Sequence, residues 1–317
     1  MITPFHPIDD LPDATALWNA ALGAQYPLTE KLFANVTRNP VPGQSGQHFI
    51  QRVNRTGQLI GWIGTQINPN GANPTSGALL GIVVHPAYQR QGLGGELLNH
   101  VLDYFKSQGV TRVMSGGRYP RIFPGIPVDL PHAQSFMEKQ GWLFDQTDYD
   151  LFRRLEDYQT PTGLLDRLNA DGVRIYAGSQ ADRAEVLAFN DREFAGWAST
   201  YHYVASLGDD QDFLVARDPR RGVVGTLLMV TPQSHPQRVD ALWKPLWGAN
   251  AGGLGEVGVG KEERGRGLGI GLVAAGSEIL KARGVGHCNI GFTSLVDFYG
   301  KLGYRVWRAY HIAWQTL

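Results

Sequence analysis

Residues 77–110 read GALLGIVVHPAYQRQGLGGELLNHVLDYFKSQGV, and residues 252–285 read GGLGEVGVGKEERGRGLGIGLVAAGSEILKARGV. Aligned without a gap, Gln89 falls on Arg264, Gly92 on Gly267, Gly94 on Gly269 and Gly109 on Gly284. Each copy runs from a strand-like stretch (79–84; 256–259) through a glycine-rich turn into a helical segment. Leu97, Leu98, Val101, Leu102 and Phe105 make the apolar stripe of the first helix; Leu272, Val273, Ile279 and Leu280 make that of the second. Gly109 and Gly284 stand where a left-handed C-terminal cap belongs, and another strand-like run follows each, TRVMSG and HCNIGF. A repeat of this length implies two related domains and not a solenoid of short units.

The flanks keep the same order. FIQRVN and LIGWIGTQI, joined by turn residues 55–58, predict a hairpin, and DFLVA and VVGTLLMV predict its counterpart. Helical material precedes each, DATALWNAALG in one half and QADRAEVLAFNDREF in the other. The expected organisation is an N-terminal domain over 1–157, a connection over 158–171 that carries Pro161 and Gly163, and a C-terminal domain over 172–317. A chain of 317 residues suits two domains, and 43% hydrophobic residues suffice for a core in each.

Lys plus Arg (29) equals Asp plus Glu (29), so no overall field draws a polyanion, which argues against nucleic acid or a charged membrane surface as partner. The single cysteine, Cys288, excludes an intramolecular disulfide framework and a cysteine-rich zinc site, and is compatible with a reducing compartment. The opening residues lack a basic flank before an apolar run, and no stretch reaches the length of a membrane span. A soluble, cytoplasmic protein is expected, as monomer or homodimer. The nine histidines show no ligand spacing, so no metal is expected.

A glycine turn between strand and helix has a defined use. Backbone N–H groups without neighbouring side chains approach an anion closely, and the helix N-terminus adds uncapped donors and a partial positive charge. Arg90 in the first turn, and Arg264 and Arg266 in the second, add charge; the implied ligand is a phosphate or pyrophosphate. A P-loop would need Gly-Lys-Ser/Thr, which neither turn has. A dinucleotide fingerprint would begin directly after the strand, whereas HPAYQRQ and GKEERGR intervene. The remaining pattern, Q/R-x-x-G-x-G/A, occurs as Gln89-Arg90-Gln91-Gly92-Leu93-Gly94 and as Arg264-Gly265-Arg266-Gly267-Leu268-Gly269. It resembles the acyl-CoA pyrophosphate motif of the GNAT superfamily of acetyltransferases.

The resemblance implies an α/β (α+β) fold of two tandem GNAT domains, each a mixed, mostly antiparallel twisted sheet flanked by helices. It implies acetyl-CoA as co-substrate and direct transfer to an amine of a small-molecule acceptor. The second half closes with Phe298-Tyr299-Gly300-Lys301-Leu302-Gly303-Tyr304, similar to the family's final motif, in which the tyrosine protonates the departing thiolate; Tyr299 is the candidate acid. The first half has HAQSFMEKQGW, with Met137 where that tyrosine belongs, and methionine donates no proton. The C-terminal domain is therefore expected to be catalytic. Val257 and Val259 would pair with the pantetheine arm, the Val259 N–H would polarise the thioester carbonyl, and residues Arg264, Gly265, Arg266, Gly267, Leu268, Gly269 and Ile270 would hold the pyrophosphate. In the first half the corresponding set is Val84, Gln89, Arg90, Gln91, Gly92, Leu93, Gly94 and Gly95.

Glu256 is the candidate base, facing opposite to Val257 and Val259 by strand alternation; an ion-pair role for it stays open, and the first half has Gly81 there. Glu262 and Glu263 precede the turn and are expected to face solvent. The segment TPQSHPQRVDALWKPLWGANAGG carries Trp243 and Trp247, whose faces suit either a sugar ring or a loop pinned to the core. The C-terminal half also resembles the acetyltransferase module fused to some β-N-acetylglucosaminidases, which implies an amino sugar as acceptor. The segment RYPRIFPGIPVDLP predicts a rigid exposed loop, with Phe123 and its neighbours to Pro127 as a lid or a domain contact. A non-catalytic acyl-CoA-binding sensor is the competing reading.

Overall fold

The computed structural model describes all residues except 39–40, 42–43, 55–56, 68–75, 118 and 239–242. Two expected features lie partly outside the described residues: half of the turn 55–58 and the centre of the tryptophan-bearing segment. The strands are β1 (Ile2–Pro4), β2 (Phe49–Arg52), β3 (Leu59–Ile67), β4 (Ser76–Val84), β5 (Arg112–Ser115), β6 (Ile126–Pro127), β7 (Leu143–Arg154), β8 (Arg174–Ala177), β9 (Phe213–Asp218), β10 (Gly222–Val230), β11 (Ala251–Val259), β12 (His287–Thr293) and β13 (Arg305–Thr316). The helices are α1 (Leu11–Leu22), α2 (Glu30–Thr37), α3 (Leu93–Ser107), α4 (Pro131–Lys139), α5 (Leu164–Ala170), α6 (Arg183–Glu193), α7 (Ala198–Ser206), α8 (Lys244–Trp247), α9 (Leu268–Ala282) and α10 (Val296–Gly300). Among the described residues no helix is long and apolar enough to cross a membrane.

The chain packs as two compact units, Met1–Asp148 with Ala309–Leu317, and Tyr149–Arg308. The first sheet runs β1-β2-β3-β4-β5-β13 and the second β7-β12-β11-β10-β9-β8. Each contains one parallel pair, β4 with β5 and β11 with β12; the other recorded pairings are antiparallel. Two long strands, β7 after α4 and β13 after α10, were not foreseen. From Tyr149 onward β7 lies beside β12, and from Tyr310 onward β13 lies beside β6 and β5. These pairings join residues more than a hundred positions apart, beyond the reach of local pattern. Residues 158–171 hold α5, with Tyr158 and Leu168 buried in the core of the second unit.

β3 and β10 are buried almost end to end, as strands covered on both faces must be. In the second unit Leu227, Met229, Leu254, Leu272, Val273 and Leu280 form the core under α9. Val186, Tyr201, Val204, Phe213 and Leu228 form a second cluster on the sheet's other face, against α6 and α7. In the first unit the stripe of α3 (Leu97, Leu98, Val101, Phe105) is buried as the spacing predicts. The other face carries Trp18, Phe33, Trp62 and Phe123 in mutual ring contact.

Phe123 corrects an expectation. Ile122, Phe123 and Ile126 are buried, and Ile126 of β6 pairs with His311 of β13, so this stretch is core and short strand where an exposed loop was expected. Its apolar residues between prolines find a covered face, and burial outweighs the turn-like composition.

His48 is buried in the first unit, where its Nδ1 accepts from Thr65 N–H (3.0 Å) and its Nε2 lies 2.8 Å from the Thr37 carbonyl. Burial lowers its pKa from 6.5 to about 4, opposed by the bond to Thr37. The unfolded chain thus binds a proton below pH 6.5 that the folded chain refuses until about pH 4. The contribution is fully present above 6.5 and is lost on acidification at about 1.4 kcal/mol per pH unit. Urea unfolding followed by tryptophan fluorescence should lose stability between pH 6.5 and 4.5, and His48→Gln should flatten that slope.

Candidate active site

The parallel pair β11–β12 keeps register from Ala251↔His287 to Leu254↔Ile290 and then parts, while β11 continues to Val259. A register shift against β10 between Thr226 and Leu228 marks a bulge in β11. The bulge changes the facing of the strand. Leu254, Val257 and Val259 all pack toward the core beneath α9, so Gly255 and Glu256 share the opposite side. Glu256 holds a left-handed backbone, φ +49, among glycines. Its carbonyl accepts from the Tyr201 hydroxyl (3.0 Å), whose oxygen also lies 3.0 Å from Thr226 Oγ1. Gly260 N–H bonds the Val224 carbonyl across to β10 (3.0 Å), and alternation therefore turns the Val259 N–H into the gap where β11 and β12 diverge.

At the end of β11 the chain passes through residues 260–267 into α9. Gly265 and Gly267 are left-handed (φ +83 and +82), and Gly267 is the N-cap, with no side chain capping the helix. The first intrahelical bond is Gly271 N–H to Gly267 O, so the N–H groups of Leu268, Gly269 and Ile270 lack helical partners. A Cβ on Gly265 or Gly267 would meet nothing within 4 Å, whereas one on Gly269 would approach Phe298 at 3.4 Å and Val259 Cγ2 at 3.7 Å. The first two glycines therefore leave an open anion cradle and the third lets the helix sit close on the strand and α10. Arg266 is held by Glu263 and lies 3.8 Å from Asp218, and Arg221 also pairs with Glu263. Glu263 is thus buried and engaged, contrary to expectation, while Glu262 and Arg264 are exposed.

Tyr299, on α10, is buried. Burial pushes its phenol up to about 12, with a hydrogen bond to Thr293 opposing and the Glu256 charge adding to the rise. That charge also raises the pKa of Tyr201, after burial. The two expected acid–base residues therefore lie within electrostatic reach of each other. Cys288 is buried, its thiol pushed up to about 12 by burial, with the Tyr304 hydroxyl 3.3 Å from Sγ; it is no nucleophile.

The first unit repeats the turn and loses the rest. Its parallel pair also stops early, at Leu79↔Ser115, and Gly92 (φ +89) caps α3 in the same way, with Arg90 left-handed at φ +62. Gln89 Nε2 donates to the Val84 carbonyl (3.0 Å), and Glu96 places a carboxylate in the first helical turn. A Cβ on Gly81 would lie 3.3 Å from Trp18 and 3.5 Å from Trp62, so tryptophans fill the space that a side chain there would need. Met137 is buried in the core.

Residues 14–122 match the model of the Acetyltransferase (GNAT) family. That match covers the first unit, whose turn and apolar pattern are intact although the acid and base positions are not. Over 278 residues the chain is 28% identical to mycothiol acetyltransferase of Salinispora tropica, covering 84% of this chain and 81% of that protein. Among solved structures it is similar to a GCN5-related glucosamine N-acetyltransferase region of a fungal multi-domain GH3 β-N-acetylglucosaminidase. The TM-score is 0.92 at 34% identity over 99% of this chain, which spans only 38% of that longer one. A tandem GNAT protein from the clavulanic acid biosynthesis pathway superposes over the whole chain with a TM-score of 0.70 at 15% identity, covering 98% of that protein. The chain is a tandem GNAT-superfamily protein, with the acetyltransferase fold built twice and the family's sequence signature in its first half.

Proposed function

We propose that the second unit is an acetyl-CoA-dependent N-acetyltransferase whose acceptor is the primary amine of an amino sugar. The observation that carries this reading is the gap between β11 and β12, bounded by the Val259 N–H, the uncapped start of α9, Tyr299 and Glu256. The cradle over Gly265 and Gly267 is open and rich in N–H groups, as a pyrophosphate requires. Acetyl-CoA supplies the activated acyl group. Val257 and Val259 lie along the open edge of β11, where an amide-bearing arm adds like a strand. The Val259 N–H stabilises charge developing on the thioester oxygen. Glu256 takes the proton that the ammonium must shed before attack, directly or through water. Tyr299, protonated up to about pH 12, gives its proton to the departing sulfur.

The acceptor class rests on the likeness to the glucosamine N-acetyltransferase region, 34% identical over 99% of this chain. Free-thiol detection of CoA, run over glucosamine, amino acids, polyamines and aminoglycosides, tests it. Release with glucosamine is expected to exceed that with any amino acid by at least about tenfold, the factor corresponding to about 1.4 kcal/mol. Acetyl-CoA binding with no release for any amine would favour the sensor reading, which the filled first unit already suits for that half.

A further inference from the structure

We infer that Asp150, with Asn289 beside it, binds hydroxyl groups of the acceptor and so selects a polyhydroxylated amine; the inference rests on the acceptor reading above and names residues that select within it. On the face of the second sheet opposite α9, a Cβ on Gly255 would meet nothing within 4 Å, so a recess lies directly beside Glu256. Across the gap, a Cβ on Gly291 would lie 3.2 Å from Asp150 Oδ1 and 3.3 Å from Asn289 Oδ1. Asp150 comes from β7, whose Leu151 points into the core while Asp150 and Phe152 take the other face. The Asp150 side chain is fixed by the Phe292 N–H (3.1 Å) and that of Asn289 by the Leu151 carbonyl (3.2 Å). Neither can swing to solvent without giving up a bond.

The first unit supplies the contrast. By the repeat, Glu256, Gly255 and Asn289 correspond to Gly81, Leu80 and Met114, and Asp150 to Ile312 of β13. Leu80 and Ile312 are buried there, with Ile312 against Gly125. Every polar position of the recess is thus apolar in the unit that lacks the acid and base. Buried polar side chains need hydrogen-bond partners, and these are kept in the unit that also keeps the acid and base positions.

The chemistry of the recess narrows its occupant. Two carboxylates accept hydrogen bonds and repel anions, so an ammonium with neighbouring hydroxyls suits them and an α-amino acid, carrying its own carboxylate, does not. Along the same face Phe152 packs with Trp247 (centroids 4.8 Å) and stacks on His287 (5.8 Å), and Trp247 meets Trp307 (4.4 Å). An aromatic wall beside a few convergent polar groups is the composition of a small-molecule site for a flat-faced ring.

Asp150→Asn keeps an oxygen for the Phe292 N–H and removes the charge. With glucosamine as acceptor, KM should rise about tenfold or more, while saturated kcat and the acetyl-CoA Kd stay within about threefold. With cyclohexylamine, a ring amine without hydroxyls, KM should hardly move, so discrimination between the two amines collapses. Asn289→Ala should give the same KM-only loss and replaces Asp150→Asn if that variant does not fold. Equal rises for both amines, or an unchanged glucosamine KM, would overturn the inference while leaving the transferase reading intact. A wild-type protein that binds acetyl-CoA and never turns over glucosamine would overturn the acceptor reading and this inference with it.

Discussion

Glu256→Gln is expected to lower kcat/KM for the amine about 10²–10⁴-fold, the usual contribution of a positioned general base, and to leave acetyl-CoA affinity unchanged. At neutral pH the acceptor arrives as an ammonium and must lose a proton to become a nucleophile. The backbone argues that the side chain is wanted: Glu256 holds φ +49, a conformation costing a non-glycine residue roughly 1–2 kcal/mol, in a strand where glycine is otherwise abundant. The pH at which the rate levels off separates the two enzymes. Without the base, the rate should follow the free amine and rise about tenfold per pH unit up to the amine's own pKa. The wild type should level off earlier. Neither should fall on the alkaline side through Tyr299 below pH 12. Steady-state rates from pH 6 to 9.5 check this, and a loss under about threefold would remove Glu256 as the base.

How much of this could be read beforehand depends on how local each feature is. The turns, their helices and the hairpins rest on spacing within about fifteen residues, and Gly267, α9 and β10 occur where the pattern puts them. β11 is longer than the apolar run suggests, beginning at Ala251, because its glycines hide a strand whose neighbours supply the bulk. Alternation predicts that Glu256 faces away from Val257 and Val259, and it does, though through a bulge that no local pattern announces.

The other members of the recess were not legible for a topological reason. Asp150 follows the first repeat in sequence yet sits beside β12, far along the chain, with Leu151 opposite Ile290. Its signal was the run Asp148-Tyr149-Asp150-Leu151, polar and apolar in alternation, which marks a half-buried strand without saying whose sheet it joins. The losses in the first unit were partly legible. Met137 and Gly81 mark the missing acid and base, while the aromatic filling by Trp18 and Trp62 depends on contacts between α1 and β3 that only the fold brings together.

The account turns on where the coenzyme diphosphate is held, and Gly267→Val addresses that most directly. Gly267 is left-handed at φ +82, a conformation a β-branched residue adopts only with strain, and its methyls would enter the open cradle from which the N–H groups of α9 point. The loss should come from both effects together, since several N–H groups act jointly on the anion and a shifted turn misdirects them all. Melting temperature should fall only by what the left-handed backbone strain costs, about 1–3 kcal/mol of stability, because a Cβ there meets no protein atom within 4 Å. Calorimetric titration of acetyl-CoA into folded wild type and Gly267→Val is the decisive measurement. The account predicts an affinity at least about 100-fold weaker at the second unit, some 2.7 kcal/mol, with transfer lost in step. Wild-type affinity and stoichiometry in the variant would contradict it.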